Sequence, residues 1–209
     1  PWPVAGLAWR NNLIAIKANA VDQEGNDVGN MATLAAGIVA AVDLGARVIN
    51  CSNHVGIIAE WWEGNPLRQA IEYAQRNGCL VIGSAASEPG KGYLLAAAPA
   101  CYADEFNNVV AVGASDPNDD FITGYGASIS VGAPGDRIGV PSPIGGNELV
   151  LGASFAAPLV SALAALIWSL DYESDGDYDL SPGDVKTIIT ETADDADPRF
   201  CLLYTSDAA

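Results

Sequence analysis

"LGASFAAPLVSALAALI", residues 151–167, places Ser154 among small residues at the start of a long uncharged run. Serine is a favoured helix N-cap, and Pro158 would be tolerated in a first helical turn, so the stretch predicts a helix that begins near Ser154. The same position also suits a nucleophile, because free backbone N–H groups and the helix dipole stabilise a developing oxyanion. These local features leave both roles open.

The uncharged run extends from Leu149 to Leu170, which is long enough to cross a bilayer. The acidic segment DYESDGDYD (171–179) follows it, where basic anchors of a membrane span would be expected. We therefore favour a central helix covered by a sheet, and we expect no membrane partner. The apolar side chains expected to face that sheet are Leu159, Leu163, Leu166 and Ile167.

Strand-like and helix-like segments alternate along the rest of the chain. Helices are predicted over 30–45 and 64–78, with Asn30 and Asn65 as N-caps. Gly45 ends the first helix and Gly78 ends the second. Apolar runs of strand length occupy 12–18, 47–52, 79–85 and 107–114. This alternation predicts an α/β fold with a mainly parallel sheet covered by helices on its faces.

Composition excludes several function classes. Half of the 209 residues are hydrophobic and 17% are charged, which is not typical of a disordered chain. The formal net charge of -17 argues against binding to nucleic acid or to anionic lipid. The four cysteines are widely spaced without a CxxC pair, so a zinc site is not expected, and a disulfide stays open.

The segment GASFAAPLVSALAAL resembles the serine motif of the subtilisin-like serine proteases (subtilases), and VVAVGAS…GAPG (109–135) is similar to the family segment that precedes it. The resemblance covers about residues 4–195. It implies a three-layer α/β/α fold, peptide-bond hydrolysis through an acyl-enzyme, protein or peptide substrates, a monomer, and a secreted or extracellular location.

The resemblance also implies roles for particular residues. Ser154 would be the nucleophile, and Ser87 stands where the family has the asparagine that donates to the oxyanion. The substrate-binding walls would be Ser52 and Asn53 on one side and Ser84, Ala85 and Ala86 on the other. Small side chains on these walls suggest room for a bulky apolar group.

The aspartate and histidine motifs of the family would precede residue 1, so the chain is expected to be a fragment that is inactive by itself. Its only histidine, His54, matches the substrate wall and not the base. The serine at position 87 motivates an alternative, a non-catalytic subtilase-like binding module. We expect a partial peptidase domain over 1–195 and a tail over 196–209 that resembles translated adapter or vector sequence.

The acidic segment resembles the start of a calcium loop, because Asp171, Glu173 and Asp175 occupy alternate positions. The twelfth position is Pro182 and not the glutamate that such a loop requires. A solvated acidic loop is therefore the preferred interpretation, with these three residues as candidate calcium ligands and no other metal site or cofactor expected.

Overall fold

The computed structural model describes residues 6–19, 24, 30–53, 64–85, 97–123, 129–142 and 144–194, apart from the side chains of residues 173–175. In these ranges a parallel sheet lies between two layers of helices. The predicted three-layer α/β fold is thereby confirmed.

The central sheet has four parallel strands in the order β1-β2-β3-β4. The strands are β1 (Val48–Cys51), β2 (Leu80–Ser84), β3 (Val109–Ser115) and β4 (Val131–Pro134). Side chains alternate between the two faces, so neighbours such as Val109 and Val110 belong to different cores. Both faces of the sheet are therefore apolar, as parallel strands require.

Two helices cover one face, α1 (Met31–Asp43) and α2 (Pro66–Arg76). The predicted caps are confirmed, since the side chains of Asn30 and Asn65 each accept two backbone N–H groups of their helices. Gly45 and Gly78, which follow the helices, have φ of 82° and 70°. Glycine adopts that left-handed conformation without steric cost, so both chain reversals are set by local sequence.

The opposite face is covered by α3 (Ala153–Asp175) and α4 (Pro182–Glu191). The first twenty residues of α3 are long and apolar enough to span a membrane, but the helix packs against the sheet. Its buried side is a stripe of mostly small residues that lets the helix approach the strands closely. The stripe consists of Ala153, Ala156, Ala157, Val160, Ala164 and Trp168.

The predicted sheet-facing side of α3 was therefore partly wrong. Leu163 and Leu166 are 44% and 41% exposed, whereas Ile167 packs against the core and Leu159 is half-buried. Large apolar residues do not mark the buried side of this helix, because the close spacing of helix and sheet selects alanine there.

The strand predicted over residues 12–18 is absent from the structure. Leu13 is 96% exposed, while Ile16 packs against the core beside α1. An added Cβ on Gly37 of α1 would meet the side chain of Ala18 at 3.2 Å, so this glycine allows the segment to lie close to the helix. An apolar run of strand length forms a strand only where a neighbouring strand pairs with it.

A two-stranded antiparallel hairpin was not predicted. It comprises β5 (Ile138–Pro141) and β6 (Asn147–Val150), which pair outside the central sheet and lead into α3. Its turn includes Gly145 and Gly146, both with positive φ. A Gly-Gly pair between short apolar runs is a known hairpin signal, so this element could have been found from the sequence.

Two glycines hold the end of β4 close to the start of α3 through a main-chain hydrogen bond. Gly152 donates its N–H to Gly135 O at 2.8 Å, and its φ of 133° lies in the region that favours glycine. A Cβ on Gly135 would lie 2.4 Å from the Cβ of Ala114 and 3.0 Å from Gly152 O. The close approach of these backbone segments fixes where α3, and with it Ser154, begins.

Gly135→Ala should therefore destabilise the full-length protein. Overpacking of this kind costs about 1–3 kcal/mol, and each kcal/mol lowers the Tm by about 2–4 °C in a domain of this size. Thermal unfolding followed by circular dichroism measures the shift. Gly139→Ala is the matched control, since a Cβ on Gly139 would meet nothing within 4 Å. Equal Tm values for the two variants would contradict the role given to Gly135.

Candidate active site

The predicted site residues that the structure describes lie at the carboxyl edge of the sheet. Ser52 and Asn53 directly follow β1, and Ser84 ends β2. Cys51 is in register with Gly83, so the chain leaves both strands at the same level. Ligands of open parallel sheets bind at this edge, because the loops and helix N-termini that follow the strands meet there.

Ser154 lies in the first turn of α3 and does not cap it. The N-cap is Gly152, which makes no side-chain cap hydrogen bond. The hydroxyl of Ser154 instead donates to the backbone oxygen of Ser52 at 3.1 Å. The helix-cap interpretation of Ser154 is therefore wrong, because α3 begins at Ala153 and its cap is Gly152.

Pro158 is also placed differently from the prediction. Since α3 begins at Ala153, Pro158 is its sixth residue and lies beyond the first turn. An N–H at this position would donate to the oxygen of Ser154, four residues earlier, and proline has none. Ser52 Oγ supplies the missing donor and lies 2.8 Å from Ser154 O.

The two serines thus form a reciprocal pair across 102 positions of sequence. Each hydroxyl donates to the main-chain oxygen of the other residue, and both residues are half-buried. The pair ties the carboxyl end of β1 to the first turn of α3. Ser154 Oγ is consequently held at the carboxyl edge of the sheet. It lies in the first turn of α3, where backbone N–H groups have no intrahelical acceptor.

The other predicted wall residues make different contacts. Asn53 donates from Nδ2 to Asn19 Oδ1 at 3.0 Å. Ser84 and Ala85 are only 1% and 3% exposed, and Ala85 N donates to Val112 O at 2.8 Å. Their small side chains therefore lie inside the sheet edge. Ala86, Ser87 and His54 lie outside the described residues.

The thiol of Cys51 is adjacent to the serine pair but is not a competing nucleophile. Burial raises the pKa of Cys51 to about 12, so the group stays a protonated thiol at neutral pH. Burial likewise raises the pKa of Cys101 to about 11. Cys51, Cys79 and Cys101 are all buried and free.

The predicted acidic loop is wrong for residues 171–175, which form the end of α3. Asp171, one candidate calcium ligand, therefore lies on the helix. Its Oδ2 accepts the N–H of Leu180 at 3.1 Å, which closes the loop between α3 and α4. Within the part of the chain that the structure describes, no three His, Cys, Asp or Glu residues group as metal ligands. The side chains of Glu173 and Asp175 lie outside the described part.

Two residues near the serine pair were not predicted. Asn50 donates from Nδ2 to Ser52 Oγ at 2.9 Å, and Ser161 Oγ lies 3.0 Å from Asn50 Oδ1. Asn50 on β1 and Ser52 directly after it are two positions apart in extended chain, which places them on the same side and could have indicated the first contact. No sequence signal indicates the second contact, because Ser161 is 111 positions from Asn50.

The comparisons with known proteins bear on this arrangement. A model of the Subtilase family matches residues 2–204. The chain belongs to the subtilase family. The suspected resemblance is thus confirmed, and the subtilase match includes both serines of the reciprocal pair.

Two curated relatives illustrate the similarity of this chain to known proteases. Thermitase of Thermoactinomyces vulgaris is 31% identical over 91% of this chain and 61% of its own length. The thermophilic serine proteinase of Bacillus sp. (strain AK1) is 33% identical over 79% of this chain and 38% of its own length. The chain thus spans between about two fifths and three fifths of these two subtilases.

Solved structures agree with the fold. The prenylagaramide maturation protease PagA superposes with a TM-score of 0.71 at 28% identity, covering 83% of this chain and 61% of that one. The self-cleaved protease domain of PatA gives 0.69 at 29% identity, covering 83% of this chain and 63% of that one. The subtilase arrangement of sheet and serine helix is therefore shared with proteases of known structure.

Proposed function

We propose that the full-length protein is a subtilisin-type serine endopeptidase that hydrolyses peptide bonds through an acyl-enzyme on Ser154. The observation that supports it most directly is the hydroxyl of Ser154, which lies in the first turn of α3 and is not used as a helix cap. Membership of the subtilase family supports the same reaction. The binding-module alternative has no observation in its favour among the described residues.

In this proposal Ser154 Oγ bonds to the carbonyl carbon of the scissile peptide while its proton passes to a histidine base. The base then gives that proton to the departing amine, and water repeats the sequence to release the acid. The histidine and its orienting aspartate are expected upstream of this chain. The backbone N–H of Ser154 and the side chain of Ser87 are proposed as the donors that stabilise the oxyanion.

We propose that an extended protein or peptide substrate lies between Ser52 and Asn53 on one side and segment 84–86 on the other, where the buried side chains of Ser84 and Ala85 support the wall and do not line it. The main-chain oxygen of Ser52 accepts the hydroxyl of Ser154 in this structure. When Ser154 turns toward its base, that oxygen becomes available to a backbone N–H of the substrate. The wall can then pair with the substrate in the manner of a neighbouring strand.

Family membership supports two further parts of the proposal, an extracellular location and a monomer. The net charge of -17 supports a third, that neither nucleic acid nor an anionic membrane is a partner. No cofactor takes part in the proposed reaction. We propose that Asp171, Glu173 and Asp175 bind no calcium, because they lie at the end of α3 and not in a calcium-binding loop.

The proposal is tested by treating the full-length protein with a fluorophosphonate probe, which forms an adduct with an activated serine. Peptide mapping should find the adduct on Ser154, because only a serine beside a base reacts rapidly. Ser169 is the internal control, since its hydroxyl lies on the same helix and donates to Ala165 O, a main-chain oxygen four residues earlier. An adduct elsewhere, or none, would refute the assignment of Ser154.

A further inference from the structure

Asn50 connects the serine pair to the third turn of α3. It lies on β1 with its side chain exposed at the edge of the sheet. Its Nδ2 donates to Ser52 Oγ at 2.9 Å, and its Oδ1 accepts from Ser161 Oγ at 3.0 Å. One carboxamide therefore bridges the strand and the helix that together hold Ser154.

The direction of the first hydrogen bond determines what Ser52 can do. A hydroxyl has one hydrogen to donate, and it can accept as well. Because Asn50 donates to Ser52 Oγ, the hydrogen of Ser52 stays available for Ser154 O, 2.8 Å away. That oxygen needs a donor, since Pro158 has no N–H to offer it.

The two hydroxyl partners, Ser52 and Ser161, together set the orientation of the Asn50 carboxamide. Ser161 Oγ lies 3.0 Å from both Asn50 Oδ1 and Ala157 O, so its single hydrogen serves these two acceptors. With a donor at Oδ1, the amide group of Asn50 faces Ser52. If the carboxamide were reversed, Oδ1 would compete with Ser154 O for the hydrogen of Ser52.

We propose that Asn50 is a positioning residue for the nucleophile, which acts through Ser52 and is oriented by Ser161. It keeps the hydroxyl of Ser52 on Ser154 O, and thereby fixes the first turn of α3 where Pro158 has removed the helical hydrogen bond. The inference rests on the proposed peptidase function for its kinetic consequence. Asn50 is not assigned to a substrate wall, so its effect is expected on kcat and not on KM.

The test compares Asn50→Asp, Ser161→Ala and Ser169→Ala in the full-length protein. Aspartate has the shape of asparagine but only accepts, so it should draw the hydrogen of Ser52 away from Ser154 O. We expect Asn50→Asp to lower kcat and the rate of fluorophosphonate labelling by about three- to tenfold, the effect of losing one hydrogen bond, with KM unchanged and the Tm lowered by only a few degrees.

Ser161→Ala should lower kcat by about twofold, because the carboxamide of Asn50 loses its orienting donor but keeps its amide. Ser169→Ala is the matched control: it removes a hydroxyl that donates to the oxygen four residues earlier on α3, at 2.8 Å, but lies outside the network. It should leave kcat and labelling unchanged. An Asn50→Asp variant with the kcat of the unmodified protein would overturn the proposal.

A crystal structure of Asn50→Asp separates this inference from the proposed function. If the unmodified protein is not labelled at Ser154, the peptidase proposal fails, and the structure still tests the network. The expected result is loss of the contact between Ser52 Oγ and Ser154 O, with the control unchanged. A retained contact would overturn the role of Asn50 whatever the activity.

Discussion

Replacing Ser154 with alanine in the full-length protein should lower kcat for peptide hydrolysis by about 10⁶-fold, a magnitude measured in subtilisin, another member of the family. The reason is that no acyl-enzyme can form without the hydroxyl, so only binding and oxyanion stabilisation remain. KM should change little, because Ser154 is not assigned to a substrate wall. Steady-state hydrolysis of a chromogenic peptide measures both constants.

Two features of this structure make the experiment specific. Ser169→Ala makes the same substitution on the same helix and should keep full activity. Cys51, the thiol nearest to the serine pair in sequence, stays protonated because burial raises its pKa to about 12, so it cannot replace the missing nucleophile. If Ser154→Ala kept more than about a tenth of the activity, the nucleophile would have to lie elsewhere.

The layers of the fold were predictable because their signals are local. Asn65, Pro66 and Gly78 specify the start and end of α2 within fourteen positions, and the structure places each as predicted. The segment 12–18 shows the limit of such signals, because a strand also needs a partner. Helix α3 shows a second limit of local signals. Leu163 is exposed whereas the adjacent Ala164 is buried, because the helix lies too close to the sheet for a large side chain on its buried side.

The site was predictable only in part. Resemblance to the subtilases pointed to Ser154 in the serine motif and to Ser52 in a separate segment, and the structure brings them together from positions 102 apart. The direction of their hydrogen bonds could not be predicted, because it depends on where α3 begins and on which residue lacks an N–H. Because α3 begins at Ala153, Pro158 is its sixth residue, and the oxygen of Ser154 receives no N–H from the helix. The start of the helix in turn depends on the backbone of Gly152, whose φ is 133°.

Ser87→Asn in the full-length protein should raise kcat by roughly tenfold. Loss of the family's asparagine costs about 10²–10³ in kcat, as measured in subtilisin. The hydroxyl of serine can also donate and should recover part of this loss, but not all of it, because the side chain is shorter. KM should change less than kcat, because the contact to the oxyanion forms mainly in the transition state. Steady-state kinetics on one peptide substrate measures both.

Ser87→Ala completes the test, since alanine donates nothing. If Ser87 contributes a donor, kcat should rise in the order alanine, serine, asparagine, with the same KM throughout. Equal kcat values for serine and asparagine would mean that Ser87 or a neighbouring group already supplies the full hydrogen bond. Equal values for all three would mean that position 87 does not face the oxyanion, and the backbone N–H of Ser154 would then have to be joined by another donor.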